Sequence, residues 1–202
     1  MNETLKRGLS ATVYVFIMLF GILFSTTSFH VLFYLILIIS IYEMWKLRKG
    51  KTKILSFLYI LIPLILVHQI NQNVILYIFL LTWTFDTFAY LFGITFGKHK
   101  ILQTISPKKS WEGFVGGFIF TIVVSYISLN YLELFHSIKN PVIISIFLPF
   151  TATIGDFIES HYKRKARVKD SGNFIPGHGG ILDRMDALMI TIPTVYLSIN
   201  LL

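Results

Sequence analysis

Seven runs of apolar residues divide this chain, and their length sets the first constraint on its fold. They fall at 9–24, 31–45, 54–70, 74–92, 114–135, 142–160 and 181–202. A helix needs about 20 mainly apolar residues to cross a bilayer, and lipid tolerates no unpaired backbone, so these runs predict an all-α polytopic bundle of seven transmembrane helices. A water-soluble fold fails on composition. Apolar residues fill 54% of 202 positions, charged residues 14%, and mean hydropathy is +0.70. Soluble domains average about 45–50% apolar and about 25% charged. The second run is short and carries Glu43, which puts its cytosolic end at the headgroups. Lys6 and Arg7 ahead of the first run give the charge order of a signal peptide. That run is longer than a usual signal core and no small-residue cleavage site follows, so it reads as the first span. With no repeat or long linker, 1–202 reads as one membrane domain, with N-terminal spans in 1–80 and the chemistry-bearing part in 81–202.

Cations alternate from loop to loop. Lys6 and Arg7, then Lys46, Arg48, Lys49, Lys51 and Lys53, then Lys98, Lys100, Lys108 and Lys109, then Lys163, Arg164, Lys165, Arg167 and Lys169 fall on one side. The intervening loops at 25–28, 68–73 and 131–141 hold only Lys139. The positive-inside rule therefore predicts a cytosolic N-terminus, cytosolic basic loops and an external C-terminus. For the 46–53 loop, topology and attraction to anionic lipid suffice, and no chemistry is assigned to it. The chain has no cysteine, which excludes disulfides, thiolate catalysis and cysteine-ligated zinc.

Charges within the spans carry more information, since each costs roughly 2.5–3.5 kcal/mol on insertion scales unless paired or hydrated. Asp86 lies late in the fourth run, Asp156 late in the sixth, and Asp183 and Asp186 open the seventh on one helical face. By the predicted topology all four sit toward the cytosol. Two readings stand side by side: structural ion pairs with nearby Lys or Arg, or hard oxygen ligands for Mg²⁺, which is held by one or two carboxylates plus substrate phosphates.

The long cytosolic loops add phosphate-binding chemistry. Gly93 and Gly97, the Ser106-Pro-Lys-Lys-Ser-Trp-Glu-Gly113 stretch, and Pro176-Gly-His-Gly-Gly180 set glycines beside Ser, Lys and His. Such loops bring backbone N–H groups and ammonium heads close to phosphate oxygens. The His178-Gly-Gly turn leads into a helix N-terminus, which favours anions. Lys108, Lys109, Lys163, Arg164, Lys169 and Arg184 are expected to meet substrate phosphates, with the 106–113 loop partly closing over the substrate. Aspartates, cations and glycine turns on one membrane face point to phosphoryl or nucleotidyl transfer.

Ser160-x-x-Lys163-Arg164-x₄-Lys169-Asp170-x-Gly172-x₃-Pro176-x-His178-Gly179-Gly180-x-x-Asp183-Arg184-x-Asp186 resembles the signature of the phosphatidate cytidylyltransferases, the CDP-diacylglycerol synthases. Asp86-Thr-x-Ala-Tyr-x-x-Gly93 and Ser106-Pro-Lys-Lys-Ser-x-Glu-Gly113 resemble that family's upstream blocks. The likeness runs from about Asp86 to the end; it departs at Tyr162, where an aliphatic residue is usual, and in a short N-terminal half.

The resemblance implies that phosphatidate attacks the α-phosphorus of CTP and pyrophosphate leaves. It implies a two-cation centre on Asp156 and Asp183 with Asp186 close by, holding Mg²⁺ and a second cation such as K⁺. Lys169, Asp170 and Arg184 join these three aspartates as catalytic candidates. Substrate contacts fall to Asp86, Ser106, Lys108, Lys109, Ser110, Glu112, Ser160, Lys163, Arg164, His178, Gly179 and Gly180. The partners implied are CTP, phosphatidic acid and the bilayer of a bacterial inner membrane, with room for a homodimer and no nucleic acid. Related CTP-dependent lipid enzymes (polyprenol or phytol kinases, CDP-archaeol synthases) stand as alternatives. An anion transporter fits less well, because the acidic residues cluster toward one end of the spans.

Overall fold

The computed structural model describes residues 3–48 and 54–201. Lys49, Lys51 and Lys53, and the side chains of Lys6 and Arg7, all used in the orientation argument, lie outside the described residues and side chains. Among the described residues the chain forms seven α-helices and one small hairpin: α1 Glu3–Leu23, α2 Thr26–Leu47, α3 Ile54–Leu66, α4 Gln72–Thr95, β1 Lys100–Leu102, β2 Ser106–Ser110, α5 Trp111–Tyr131, α6 Pro141–Lys165 and α7 Leu182–Leu201. Short 3₁₀ turns at Val67–Gln69 and Glu133–Phe135 close α3 and α5. The seven apolar runs correspond one to one with the seven helices.

Polar residues between the runs start the helices. The Ser25 hydroxyl accepts from the Ser28 N–H while the Ser28 hydroxyl accepts from the Ser25 N–H, a reciprocal cap at the start of α2. Asn71 caps α4 by accepting from the Asn73 N–H at 2.8 Å, and Ser110 caps α5 through the Gly113 N–H at 3.2 Å. Asn140 adopts the left-handed conformation at φ 53°, and Pro141 begins α6 where its missing N–H is harmless.

Helices α4 and α5 lie close together because Gly116 and Gly117 face the rings of Phe92 and Phe85, which leave no space for a β-carbon. Tyr77 and Ser125 share a buried hydrogen bond of 2.6 Å across that pair, and Thr151 and Thr191 one of 2.8 Å between α6 and α7. Such bonds add about 0.6–2 kcal/mol each between membrane helices. Phe29, Phe33, Ile60, Leu64, Ile78, Leu81, Leu148 and Met189 fill the centre. Outward, α1 shows Phe16, Phe20 and Phe24, α2 shows Leu35 and Ile38, and α5 shows Ile119 and Tyr126, all exposed. So much outward apolar surface suits lipid and not water.

Helices α2, α4, α5 and α6 are long and apolar enough to cross a membrane, while 8–23 and 54–69 form shorter apolar helical stretches. Successive helices run in opposite directions, so the basic and glycine-rich segments collect at one end. Two details differ from the expectations. The 106–113 segment is not an open loop: Ser106 pairs with Leu102 and Ser110 with Lys100, and α5 begins at Trp111. Helix α6 continues past residue 160 through Lys163, Arg164 and Lys165; basic residues suit the negative end of a helix, and Lys163 pairs with Glu159 one turn back. Glu43, late in α2, is 3% exposed, because its carboxylate satisfies the start of α7.

Candidate active site

One glycine sets the centre of the site. A β-carbon on Gly155 would run into the Asp186 carbonyl, so only glycine lets α6 approach α7 this closely. The Tyr59 hydroxyl of α3 donates to the Gly155 carbonyl at 2.9 Å and fixes the contact. The next residue, Asp156, thereby meets Asp186, and Glu159 projects from the same face of α6. One carboxylate oxygen of each of Asp156, Glu159 and Asp186 lies within 4.8 Å of the others.

Lysines border this cluster. Lys109, carried in by the hairpin, pairs with Asp156, and its Nζ lies 5.4 Å from the centre of the Phe157 ring. Lys163 pairs with Glu159 and donates to Asp183 Oδ1 at 2.7 Å. Ser160 donates to Asp156 at 3.3 Å. Glu159 is fully buried; Lys163 faces its Oε2, while its Oε1 accepts no hydrogen bond from the described residues. Carboxylates so gathered repel one another unless positive charge lies among them. Hard oxygen donors at this spacing, one of them short of hydrogen bonds, fit a hard divalent cation.

Asp183 occupies a different position. Its Oδ2 accepts from the Ser171 N–H and the Gly180 N–H, both at 2.8 Å, and from the Ser171 hydroxyl at 3.0 Å. It holds the signature loop to α7 and reaches the cluster through Lys163. Beside it, Glu43 accepts from the Ile181 N–H at 3.1 Å, the Leu182 N–H at 2.8 Å and the Ser171 hydroxyl at 2.9 Å. These are the free N–H groups that begin α7, where the helix dipole favours an anion.

Asp86 joins two cavities. One, of about 300 Å³ between α1, α4 and α7, is lined by Tyr14, Asp86, His178, Asp183, Arg184 and Asp186 at its polar part and by Phe79, Trp83 and Leu188 elsewhere. The other, of about 680 Å³ beneath the hairpin, is lined by Asp86, Lys100, Ser106, Lys108, Lys109 and Ser110, with Gly93 and Gly97 on its wall.

The remaining expected residues divide between the site and its frame. Arg184 donates to the His178 carbonyl at 2.9 Å, and His178 Nδ1 lies 2.8 Å from the Ser10 hydroxyl of α1. Gly179, at φ 85°, and Gly180 let that turn pass close to Asp183 and Glu43. Glu112 accepts from the His99 N–H at 3.2 Å and meets its ring at 2.6 Å, pinning the base of the hairpin. Arg164 donates to the Val168 carbonyl at 3.2 Å and closes α6. Lys169 and Asp170 are exposed and line a separate cavity with Lys46, outside the carboxylate cluster. Glu159 and Glu43 escaped the sequence argument. Glu159 carried a signal, at three residues after Asp156 and four before Lys163, whereas Glu43 had only the oddity of an acid in an apolar run.

The fold and site define a class: a helical membrane protein with a carboxylate cluster, flanking lysines and two cavities at one end of its bundle. The comparisons narrow it. Residues 54–202 match the model of the cytidylyltransferase family, and the chain belongs to that family. It is 45% identical to the phosphatidate cytidylyltransferases of Staphylococcus haemolyticus and Staphylococcus saprophyticus, and 44% identical to that of Staphylococcus aureus. Each match covers 119 residues, 59% of this chain and 46% of the relative, so the matched region spans about half the length of these curated relatives. Family membership and the four long apolar helices make it an integral membrane protein.

Proposed function

We propose that this chain is a phosphatidate cytidylyltransferase, converting CTP and phosphatidate into CDP-diacylglycerol and pyrophosphate. The observation that carries the reading is the carboxylate cluster of Asp156, Glu159 and Asp186, in which Asp186 lines the partly apolar cavity and Asp156 pairs with Lys109 of the lysine-rich one. The lysine-rich cavity suits a triphosphate: Lys100, Lys108 and Lys109 offer charge, and Ser106 and Ser110 offer hydroxyls. The α1/α4/α7 cavity suits a lipid phosphate, with Arg184 at its polar part and aromatic walls elsewhere.

In the proposed reaction a phosphate oxygen of phosphatidate bonds to the α-phosphorus of CTP. The bond from that phosphorus to the oxygen bridging to the β-phosphate breaks, and pyrophosphate carries the electron pair away. A phosphate monoester has its second pKa at about 6 and is already an anion at neutral pH, so no strong base is needed. The chain's own residues align two polyanions and screen their charge, with Lys108 and Lys109 beside the departing pyrophosphate. Mg²⁺ is the proposed cofactor, held by Asp156 and Asp186 with Glu159 beside them, and supplies charge neutralisation at the transferring phosphate. Asp183 has both oxygens taken by Lys163, Ser171 and Gly180 donors, so it does not fit a cation ligand in this arrangement and acts on the cluster through Lys163.

Cation placement supports a cytosolic N-terminus and an active site on the cytosolic face of a bacterial inner membrane. The test of function is direct. Purified protein with CTP, phosphatidate and Mg²⁺ is expected to yield CDP-diacylglycerol and pyrophosphate in equal amounts. Release of CDP with phosphorylation of a lipid alcohol would make it a kinase and overturn the proposal.

A further inference from the structure

Tyr14 is unlike the other tyrosines of the bundle. It projects from α1, ahead of the 54–202 family match, and lines the α1/α4/α7 cavity with Asp86, Arg184 and Asp186. Its hydroxyl is buried and has no hydrogen-bond partner among the described residues. Tyr77 and Tyr59, by contrast, bond to Ser125 and to the Gly155 carbonyl. Burying an unpaired hydroxyl destabilises a fold, so its retention calls for a partner that is not part of the fold.

The surroundings indicate the partner's chemistry. Arg184, oriented by its bond to the His178 carbonyl, is a charged neighbour of the phenol. A guanidinium and a phenolic O–H on one cavity wall make a donor pair for a phosphate oxygen. Phe79 and Trp83 line the rest of that cavity, and the opposite face of α1 is apolar and exposed at Val13, Phe16 and Ile17. A phosphate carried on an acyl chain fits both parts. A nucleotide does not need the apolar one.

We propose that the Tyr14 hydroxyl donates a hydrogen bond to the phosphate of the lipid substrate, beside Arg184, so that α1 contributes directly to the lipid site. The inference rests on the activity proposed above. Tyr14→Phe removes the hydroxyl and leaves the ring in place. The bond is to a charged group and is expected in ground and transition states alike, so the KM for phosphatidate should rise about tenfold or more with kcat and the KM for CTP unchanged. Thermal stability should stay the same or increase, because an unpaired buried hydroxyl is gone. A merely structural tyrosine would not raise one substrate's KM while sparing stability.

A second measurement needs no turnover. Trp83 shares the cavity, so in a Trp45→Phe/Trp111→Phe background its fluorescence can follow titration with dihexanoyl phosphatidate in detergent without CTP. Tyr14→Phe should weaken that binding by the same factor. Unchanged phosphatidate KM and unchanged titration would overturn the proposal. A rise confined to the CTP KM would assign the hydroxyl to the nucleotide and overturn it equally. If the parent protein makes no CDP-diacylglycerol, the proposed activity fails, yet the titration still decides whether Tyr14 binds a lipid phosphate.

Discussion

Glu43 offers the most quantitative test of how the site is held. Its carboxylate takes the N–H groups of Ile181 and Leu182 and the hydroxyl of Ser171, at 3.1, 2.8 and 2.9 Å. In Glu43→Ala the Ser171 hydroxyl keeps Asp183, 3.0 Å away, but the two N–H groups lose their acceptor. Each unsatisfied buried donor costs about 1–3 kcal/mol, which gives about 2–6 kcal/mol in all. For a chain of this size 1 kcal/mol lowers Tm by about 2–4 °C, so a fall of roughly 4–24 °C is expected. Glu43→Gln keeps one carbonyl acceptor but turns an amide N–H toward a donor, and should lose about half as much. Thermal unfolding in detergent measures the loss, and amide hydrogen exchange at Ile181 and Leu182 locates it. Glu43→Ala with a Tm within about 2 °C of the parent and unaltered exchange at those amides would refute the idea that α2 holds the start of α7.

Further outcomes follow from the same geometry. Asp156→Asn and Asp186→Asn are each expected to lower kcat about a hundredfold or more and to shift the Mg²⁺ dependence while the protein remains inserted, read from initial rates against Mg²⁺ concentration; near-normal rates with an unchanged requirement would remove the cation from these residues. Asp183→Asn is expected to impair turnover too, and to lower Tm, since it loses the charge facing Lys163 and Ser171. Gly155→Ala drives a methyl group into the Asp186 carbonyl and should cost about 1–3 kcal/mol in unfolding experiments, with weaker Mg²⁺ activation as α6 and α7 separate. A reporter fused after Leu202 is expected to be external, and a cytosolic signal would reverse the proposed orientation.

The helices were legible because lipid imposes its own length and polarity on any segment that crosses it. Each of the seven apolar runs became a helix, and the differences lie at their ends. Helix α6 overran its window because Glu159 and Lys163 pair one turn apart, and hydropathy counts both only as charges. The hairpin was not legible. Ser106-Pro-Lys-Lys-Ser is polar throughout, and its strand conformation comes from pairing with Lys100–Leu102 and from Glu112 gripping His99. A window along the chain sees neither.

The site was legible in its residue types and less so in its connections. Asp156 and Asp186 meet as the aspartate pattern suggested, but their meeting depends on Gly155, whose role is to have no side chain. The sequence reading places Asp183 with Asp156 in the cation centre and Asp186 close by, three residues along one helical face. In the fold, Asp183 turns to the Ser171 and Gly180 N–H groups while Asp186 turns to Asp156 and Glu159. What separates them is the loop before α7, whose glycines leave N–H groups within reach of the first aspartate only. That loop is in turn held from outside the 54–202 family match: Glu43 binds its end, Ser10 meets His178 in its turn, and Tyr14 lines the cavity beneath. A motif marks the residues that bear charge or contact substrate. Some of the residues that aim them here lie on α1 and α2, about 130 to 170 positions earlier in the chain, and only packing brings them to the site.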